Sequence, residues 1–229
     1  MNNTKILLIR FQNKIKGAEL EAFRGAIVSE LNDKNILFHN HLPNNSGYRY
    51  SYPLIQYKRI NQKAAIFCIG PGTDTIGQFF FDSDLELRIG ERTEKFEIEN
   101  INAHRSRIQL WDYKFQYRIR KWLALNQDNY DIYSKLESVA EKSSFLEKIL
   151  TGNILSFAKG LDIFFDKQVE CKITRISDPK STWYKGVKMN MFDAEFSTNI
   201  SIPDYAGLGK GVSIGYGTTV RKREQNNNK

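Results

Sequence analysis

Hydrophobic spacing changes period several times within the first hundred residues, and each change falls at a glycine, a proline or a polar run. Residues 5–12 are a short β-type run. Gly17 ends it, and residues 18–32 then place Leu20, Phe23, Ile27 and Leu31 at helical spacing. Residues 33–51 are polar and rich in Asn, with Pro43 and Gly47. They read as a long loop, a length that in a compact domain often serves function. Residues 52–60 and 64–70 are β-rich runs joined by Asn61-Gln62-Lys63. Pro71-Gly72-Thr73 closes the second, and Ile76, Phe79 and Phe80 mark a short helix. Strands at 85–89 and 96–101 follow around Gly90. The order is β-α-β-β-α-β, the split arrangement of ferredoxin-like domains.

The second half follows the same plan less regularly. Residues 111–123 form a long alternating strand. Helical signals come at Tyr130, Tyr133, Leu136 and Ala140, then at Phe145, Leu146, Ile149, Leu150 and Ile154, opened by Ser144-x-x-Glu147 as a capping box. Residues 169–176 and 187–192 read as strands, and a glycine-rich loop feeds a last strand at 212–220. No second helix is legible between those strands. The expected fold class is α+β, two ferredoxin-like domains in tandem with the second less regular. The expected domains are 1–104, with the long loop, and 105–229, with the glycine-rich loop. The basic, Asn-rich tail at 221–229 is expected to fray.

Composition narrows the function. The 229 residues carry 34 Lys+Arg against 26 Asp+Glu, a net charge of +8, and 13% are aromatic. At 41% hydrophobic residues the chain supports a packed core. No apolar run approaches the roughly 18 residues of a membrane span. The start Met1-Asn2-Asn3-Thr4-Lys5 leads into Ile6-Leu7-Leu8-Ile9, which Arg10 interrupts without a cleavage pattern, so no signal peptide is expected. Two cysteines, Cys68 and Cys171, lie far apart and away from histidine clusters. That excludes a disulfide scaffold and a zinc ribbon, and fits a reducing cytoplasm. A basic, aromatic-rich chain without metal ligands points first to a polyanion, with RNA the best candidate.

Four features could carry chemistry. Leu37-Phe38-His39-Asn40-His41 holds two of the three histidines. Imidazole exchanges protons near neutral pH, and RNA contains its own nucleophile in the 2′-hydroxyl, so a base, an acid and cations suffice for cleavage. The alternative is two surface histidines in a loop; a metal site would lack a nearby third ligand except His104. Tyr48, Arg49, Tyr50, Tyr52, Tyr57, Lys58 and Arg59 interleave aromatic rings with cations, suited to stacking and phosphate contact. Read with period two, residues 111–123 put Trp111, Tyr113, Phe115, Tyr117 and Ile119 on one face. Lys114, Gln116, Arg118 and Arg120 fall on the other, either a phosphate-binding face or an ordinary solvated one. Finally, residues 205–217 are rich in glycine. They match neither a P-loop nor GxGxxG, so nucleotide-cofactor binding is a poor reading. The glycines either let backbone amides approach an anion beside Lys210 or make a tight bend at a β-bulge.

Taken together these residues resemble the CRISPR-associated endoribonucleases that cut precursor CRISPR RNA within its repeats. The resemblance rests on Gly207-Leu208-Gly209, five residues, then Gly215-Tyr216-Gly217. It also rests on Phe23-Arg24-Gly25-Ala26 followed by Phe38-His39-Asn40-His41 and by Tyr52-Pro53-Leu54-Ile55-Gln56-Tyr57-Lys58. It covers 1–104 and 205–217, and is topological between them. The resemblance implies a tandem ferredoxin-like fold and metal-independent cleavage without a cofactor, leaving 2′,3′-cyclic phosphate and 5′-hydroxyl ends. It places catalysis at His39 or His41, one as base and the other, or Tyr48, as acid. Many members add a lysine, for which Lys58 is the nearest choice here. Arg49, Lys58, Arg118, Arg120, Lys210 and Gly207, Gly209, Gly215 and Gly217 are the implied RNA contacts. The implied partner is the CRISPR repeat RNA; assembly into a multi-subunit CRISPR effector complex and homodimer formation are both compatible. A non-catalytic repeat-RNA-binding module is the alternative function.

Overall fold

The computed structural model describes residues 3–30, 52–82 and 85–223. They form two compact units, 3–107 with 213–215, and 108–212 with 216–223. Residues 104 and 105, where the sequence reading divides the chain, both lie in one strand of the first unit.

In the first unit, β1 (Asn3–Lys14) leads through a 3-10 turn into α1 (Leu20–Glu30). The strands β2 (Ile55–Ile60) and β3 (Lys63–Ile69) and the helix α2 (Gly72–Asp82) follow. The tight β2–β3 turn holds Asn61 and Gln62 at positive φ. β6 (Ile98–Arg107) completes an antiparallel sheet of order β2-β3-β1-β6. This is the ferredoxin-like order, with the first strand between the third and the last. The run expected as the fourth strand does not join that sheet. Residues 86–89 are β4 (Glu86–Ile89), paired only with β5 (Arg92–Lys95) in a separate hairpin. Alternation there is real, but its apolar side, Leu87 and Ile89, enters the core beside α1.

That core is an aromatic knot. Phe23, projected by α1, stacks on Phe96 at 5.3 Å and meets Phe11 and Tyr57 edge-on at 5.8 Å each. Edge and offset contacts of this kind add to area burial. Tyr57 is nearly wholly buried, and among the described residues its hydroxyl has no hydrogen-bond partner. Both faces of β2 and β3 are covered: Ile55 and Tyr57 face the knot, while Gln56, Lys58 and Phe67 alternate to the other side and are also buried.

The second unit repeats the order. β7 (Leu110–Trp122), β8 (Cys171–Ile176), β10 (Val187–Ile200) and β11 (Thr218–Arg221) lie as β11-β7-β10-β8, and β9 (Lys180–Tyr184) adds a hairpin with β10. Between β7 and β8 come α3 (Gln127–Tyr133) and α4 (Val139–Lys159). α4 starts earlier than the sequence suggests. Its cap is Ser138, whose hydroxyl accepts from the Glu141 amide, while the Glu141 carboxylate accepts from the Ser138 amide. Ser144 is therefore inside the helix, and Glu147 accepts instead from the Ile173 amide at 3.0 Å. Leu146, Leu150, Ile154 and Phe157 line its buried face. Where the first unit has its second helix, the second has an irregular connection. The expected strand at 212–220 is thus a single 3-10 turn (Val212–Ile214) followed by the short β11. Among the described residues no helix is long and apolar enough to cross a membrane.

Replacing Tyr57 with Phe removes a buried hydroxyl that has no partner among the described residues, so the variant is expected to be at least as stable as the wild type by urea unfolding. A clear loss of stability would mean the hydroxyl is bonded in solution.

Candidate nucleic-acid interface

The glycine-rich connection is built around a bulge. Lys121 near the end of β7 has φ +53, and β7 carries one residue more than β10 between the pairs Ile119–Ala194 and Trp122–Phe192. The Asp193 carboxylate accepts from the Lys121 amide at 2.8 Å. The bulge turns Trp122 inward, where its indole N–H donates to Asn153 Oδ1 of α4 at 2.9 Å. Gly209 lies directly over this pair: a Cβ there would come within 3.0 Å of Trp122 Nε1 and 3.1 Å of Asn153 Oδ1. Gly217, at φ +60, closes the loop. Its amide donates to the Lys121 carbonyl at 3.0 Å, its carbonyl accepts from Leu208, and a Cβ would collide with the Leu208 carbonyl oxygen. Both positions need glycine for close backbone approach. The Gly217 amide is engaged within the fold rather than pointed at an anion. Gly207 pairs with Thr218 in an isolated bridge, and Gly215 packs against Leu20 in the first unit. Lys210 is held by a bridge to Leu123 with its side chain exposed.

The alternation along β7 is largely as the sequence suggests. Phe115, Tyr117 and Ile119 are buried; Lys114, Gln116, Arg118 and Arg120 are exposed. Tyr113 departs from it, at 53% exposed, stacking edge-on with Phe115 at 4.7 Å. The cationic face is partly neutralised across the sheet. Register places Glu195 of β10 beside Arg118, and its carboxylate pairs with Arg118 at 2.9 Å and Lys222 at 2.7 Å. Lys222 first and Arg118 second hold that carboxyl below its ordinary range. Lys114 pairs with Glu170 at 2.7 Å. Arg120 and Lys210 make no ion pair among the described residues.

Lys58, expected as an RNA contact, is only 1% exposed. Both faces of β2 are covered, so the ammonium lies inside the protein rather than on a solvent-facing surface. Burial pushes it down to about 7. Cross-strand register puts Lys58, Ala65 and Arg10 in one row, so Arg10 shares its face. Arg10 is a cation the sequence did not single out, because it interrupts an apolar run. His104 sits exposed on β6 with Nδ1 3.1 Å from Asn102 Oδ1. His39, His41, Tyr48 and Arg49 lie outside the described residues.

Comparison with known proteins decides the family. Residues 2–107 match the Cas6b N-terminal domain and residues 109–222 the Cas6b C-terminal domain. The chain belongs to the Cas6b family. A solved Cas6b structure superposes with a TM-score of 0.82 at 30% identity, covering 96% of this chain and all of the other. A second, described as the CRISPR RNA processing endoribonuclease Cas6b, gives 0.73 at 27% identity over 96% of this chain and all of its own. An uncharacterized protein of Methanocaldococcus jannaschii is 41% identical over 112 residues, 49% of this chain and 73% of that protein. The tandem ferredoxin-like fold of the Cas6b family is thus the fold of this chain, with the glycine-rich connection in place of a helix in the second unit.

Two measurements test these electrostatics. An unfolded lysine titrates near 10.5 and this one near 7. The unfolded chain therefore binds the extra proton between those values, and stability rises with pH across that window. Lys58→Met should remove this slope, so the variant's stability relative to wild type should be highest below pH 7 and fall toward pH 10; a difference independent of pH would contradict the assignment. Glu195→Gln should release Arg118 and Lys222 and steepen the salt dependence of binding to a single-stranded polynucleotide, by up to about 0.7 per released cation.

Proposed function

We propose that this protein is a metal-independent endoribonuclease that processes precursor CRISPR RNA within its repeats. The observation that carries this reading is the match of both halves to Cas6b domains, joined to the 27%-identical relative described as a CRISPR RNA processing endoribonuclease. The chemistry is an in-line attack by the ribose. One imidazole of His39 or His41 removes the 2′-hydroxyl proton as the 2′-oxygen bonds to phosphorus. The bond from phosphorus to the 5′-oxygen breaks, and the other histidine or Tyr48 delivers a proton to that oxygen. The products are a 2′,3′-cyclic phosphate and a 5′-hydroxyl, with no cofactor consumed. Lys58 is buried and takes no part in the proposed cleavage. Arg49, Arg120 and Lys210 supply phosphate contacts, and Arg118 does so in exchange for Glu195. The glycines of the 207–217 connection shape the backbone that carries Lys210.

The partner in this reading is the CRISPR repeat RNA, and the reading is compatible with delivery of the product to a multi-subunit effector complex and with action as a homodimer. The test is incubation of purified protein with its repeat RNA in EDTA, followed by end-group analysis. Wild type should cut and leave phosphatase-resistant cyclic ends. His39→Ala with His41→Ala should lower the cleavage rate by about 10² or more while binding persists. A magnesium requirement, or equal cleavage by the double variant, would overturn the mechanism. Tight repeat binding by the wild type with no cleavage would favour the non-catalytic module.

A further inference from the structure

The β9–β10 hairpin, the glycine-rich connection and the start of α3 enclose a cavity of about 670 Å³ within the second unit. Its cations come from two separate elements: Lys185 and Lys188 from the hairpin, Lys210 from the connection. Among the described residues no acidic side chain lines it. Lys188 and Lys210 make no ion pair among the described residues, unlike Arg118 and Lys114 on the open sheet face. Its aromatic walls are Tyr130, 44% exposed on α3, and Tyr184. The Tyr184 ring is fixed edge-on against Tyr216 at 5.6 Å and carries the Lys185 ammonium 5.9 Å from its centre. Asn190 adds an amide that can both donate and accept.

This combination differs from a phosphate-binding sheet face. A flat cationic face reads backbone charge alone. A concave site with rings in its wall, Lys188 and Lys210 at its rim and a neutral amide has the features that take a base and its phosphate together. A membrane surface would engage Trp183 and Val187, exposed on the same hairpin, but would leave Tyr130 of α3 and the Asn190 amide unused. An acidic peptide would meet the lysines but leave the rings unused.

We propose that this cavity is a docking site for an unpaired nucleotide of the bound RNA, its base against Tyr130 and Tyr184 and its phosphates on Lys188 and Lys210. The proposal rests on RNA being the ligand, as inferred above, but not on the cleavage step. It assigns the second unit a strand-sensing role: a segment held in a duplex cannot enter.

The test uses the full chain in EDTA and a fluorescent oligouridylate of about ten nucleotides, within the size one such module spans. One internal position carries 4-thiouridine. Tyr130→Ala should weaken binding about tenfold without changing its salt slope, and Tyr130→Phe should restore it. Lys188→Ala and Lys210→Ala should each lower the slope by about 0.7. Irradiation should attach the thiouridine to the peptide holding Tyr130 or Tyr184, and a blunt duplex of equal length should not compete. The proposal is overturned if Tyr130→Ala binds like wild type, if the crosslink falls elsewhere, or if duplex or polyglutamate competes as well as the single strand. Exposure of these side chains keeps the variants folded, which a thermal melt verifies. Loss of cutting with cavity-dependent binding intact would fail the catalytic reading alone; intact cutting with wild-type binding by the cavity variants would fail this one alone.

Discussion

One hydrogen bond organises the second unit: the buried Trp122 indole donating to Asn153. It ties the last residue of β7 to the middle of α4, and it does so at the place where the glycine-rich connection crosses. Because Gly209 rests on both partners, the connection is seated by the same contact that joins strand to helix. A buried indole N–H without an acceptor would cost on the order of 1–3 kcal/mol, so the arrangement is held from both sides. The bulge at Lys121 makes it possible by turning Trp122 inward one residue out of phase. Lys210 owes its position to this clamp. The placement of a surface cation therefore traces back to a buried tryptophan.

Much of the architecture was legible because it is written in periods. Helical spacing of Leu20, Phe23 and Ile27 names the buried face of α1, and alternation along β7 names Phe115, Tyr117 and Ile119. The misreadings have physical causes. Leu87 and Ile89 alternate as a strand does, but alternation does not say which sheet a strand joins, and here they sit in a side hairpin. Ser144-x-x-Glu147 has the spacing of a helix start, yet Ser138 with Glu141 has it too and captures the role. The missing second helix of the second unit was correctly absent from the pattern, since its place is taken by a loop whose residues need positive φ.

The site was less legible, because charge in sequence says nothing about neighbours across a sheet. Arg118 reads as an open cation until register brings Glu195 beside it. Lys58 follows an aromatic in a strand and reads as its solvated side; only the covering of both faces of β2 turns it into a buried lysine near neutrality. The glycine spacing announced an unusual backbone, and the reasons at 209 and 217 are collisions with an indole and a carbonyl that no spacing displays.

The irregular link between β10 and β11 has a consequence for how such a protein can diversify. A helix in that position would impose a repeat, so that losing one residue would rotate all that follows. Here the link is fastened under Gly209 and at Gly217, and between them it has only the single 3-10 turn Val212–Ile214. Gly211, Gly215 and buried Val212 are held there by close contacts, but the exposed Lys210 can be exchanged while the sheet on either side keeps its pairing. Ligand preference can drift at that position at little cost to folding.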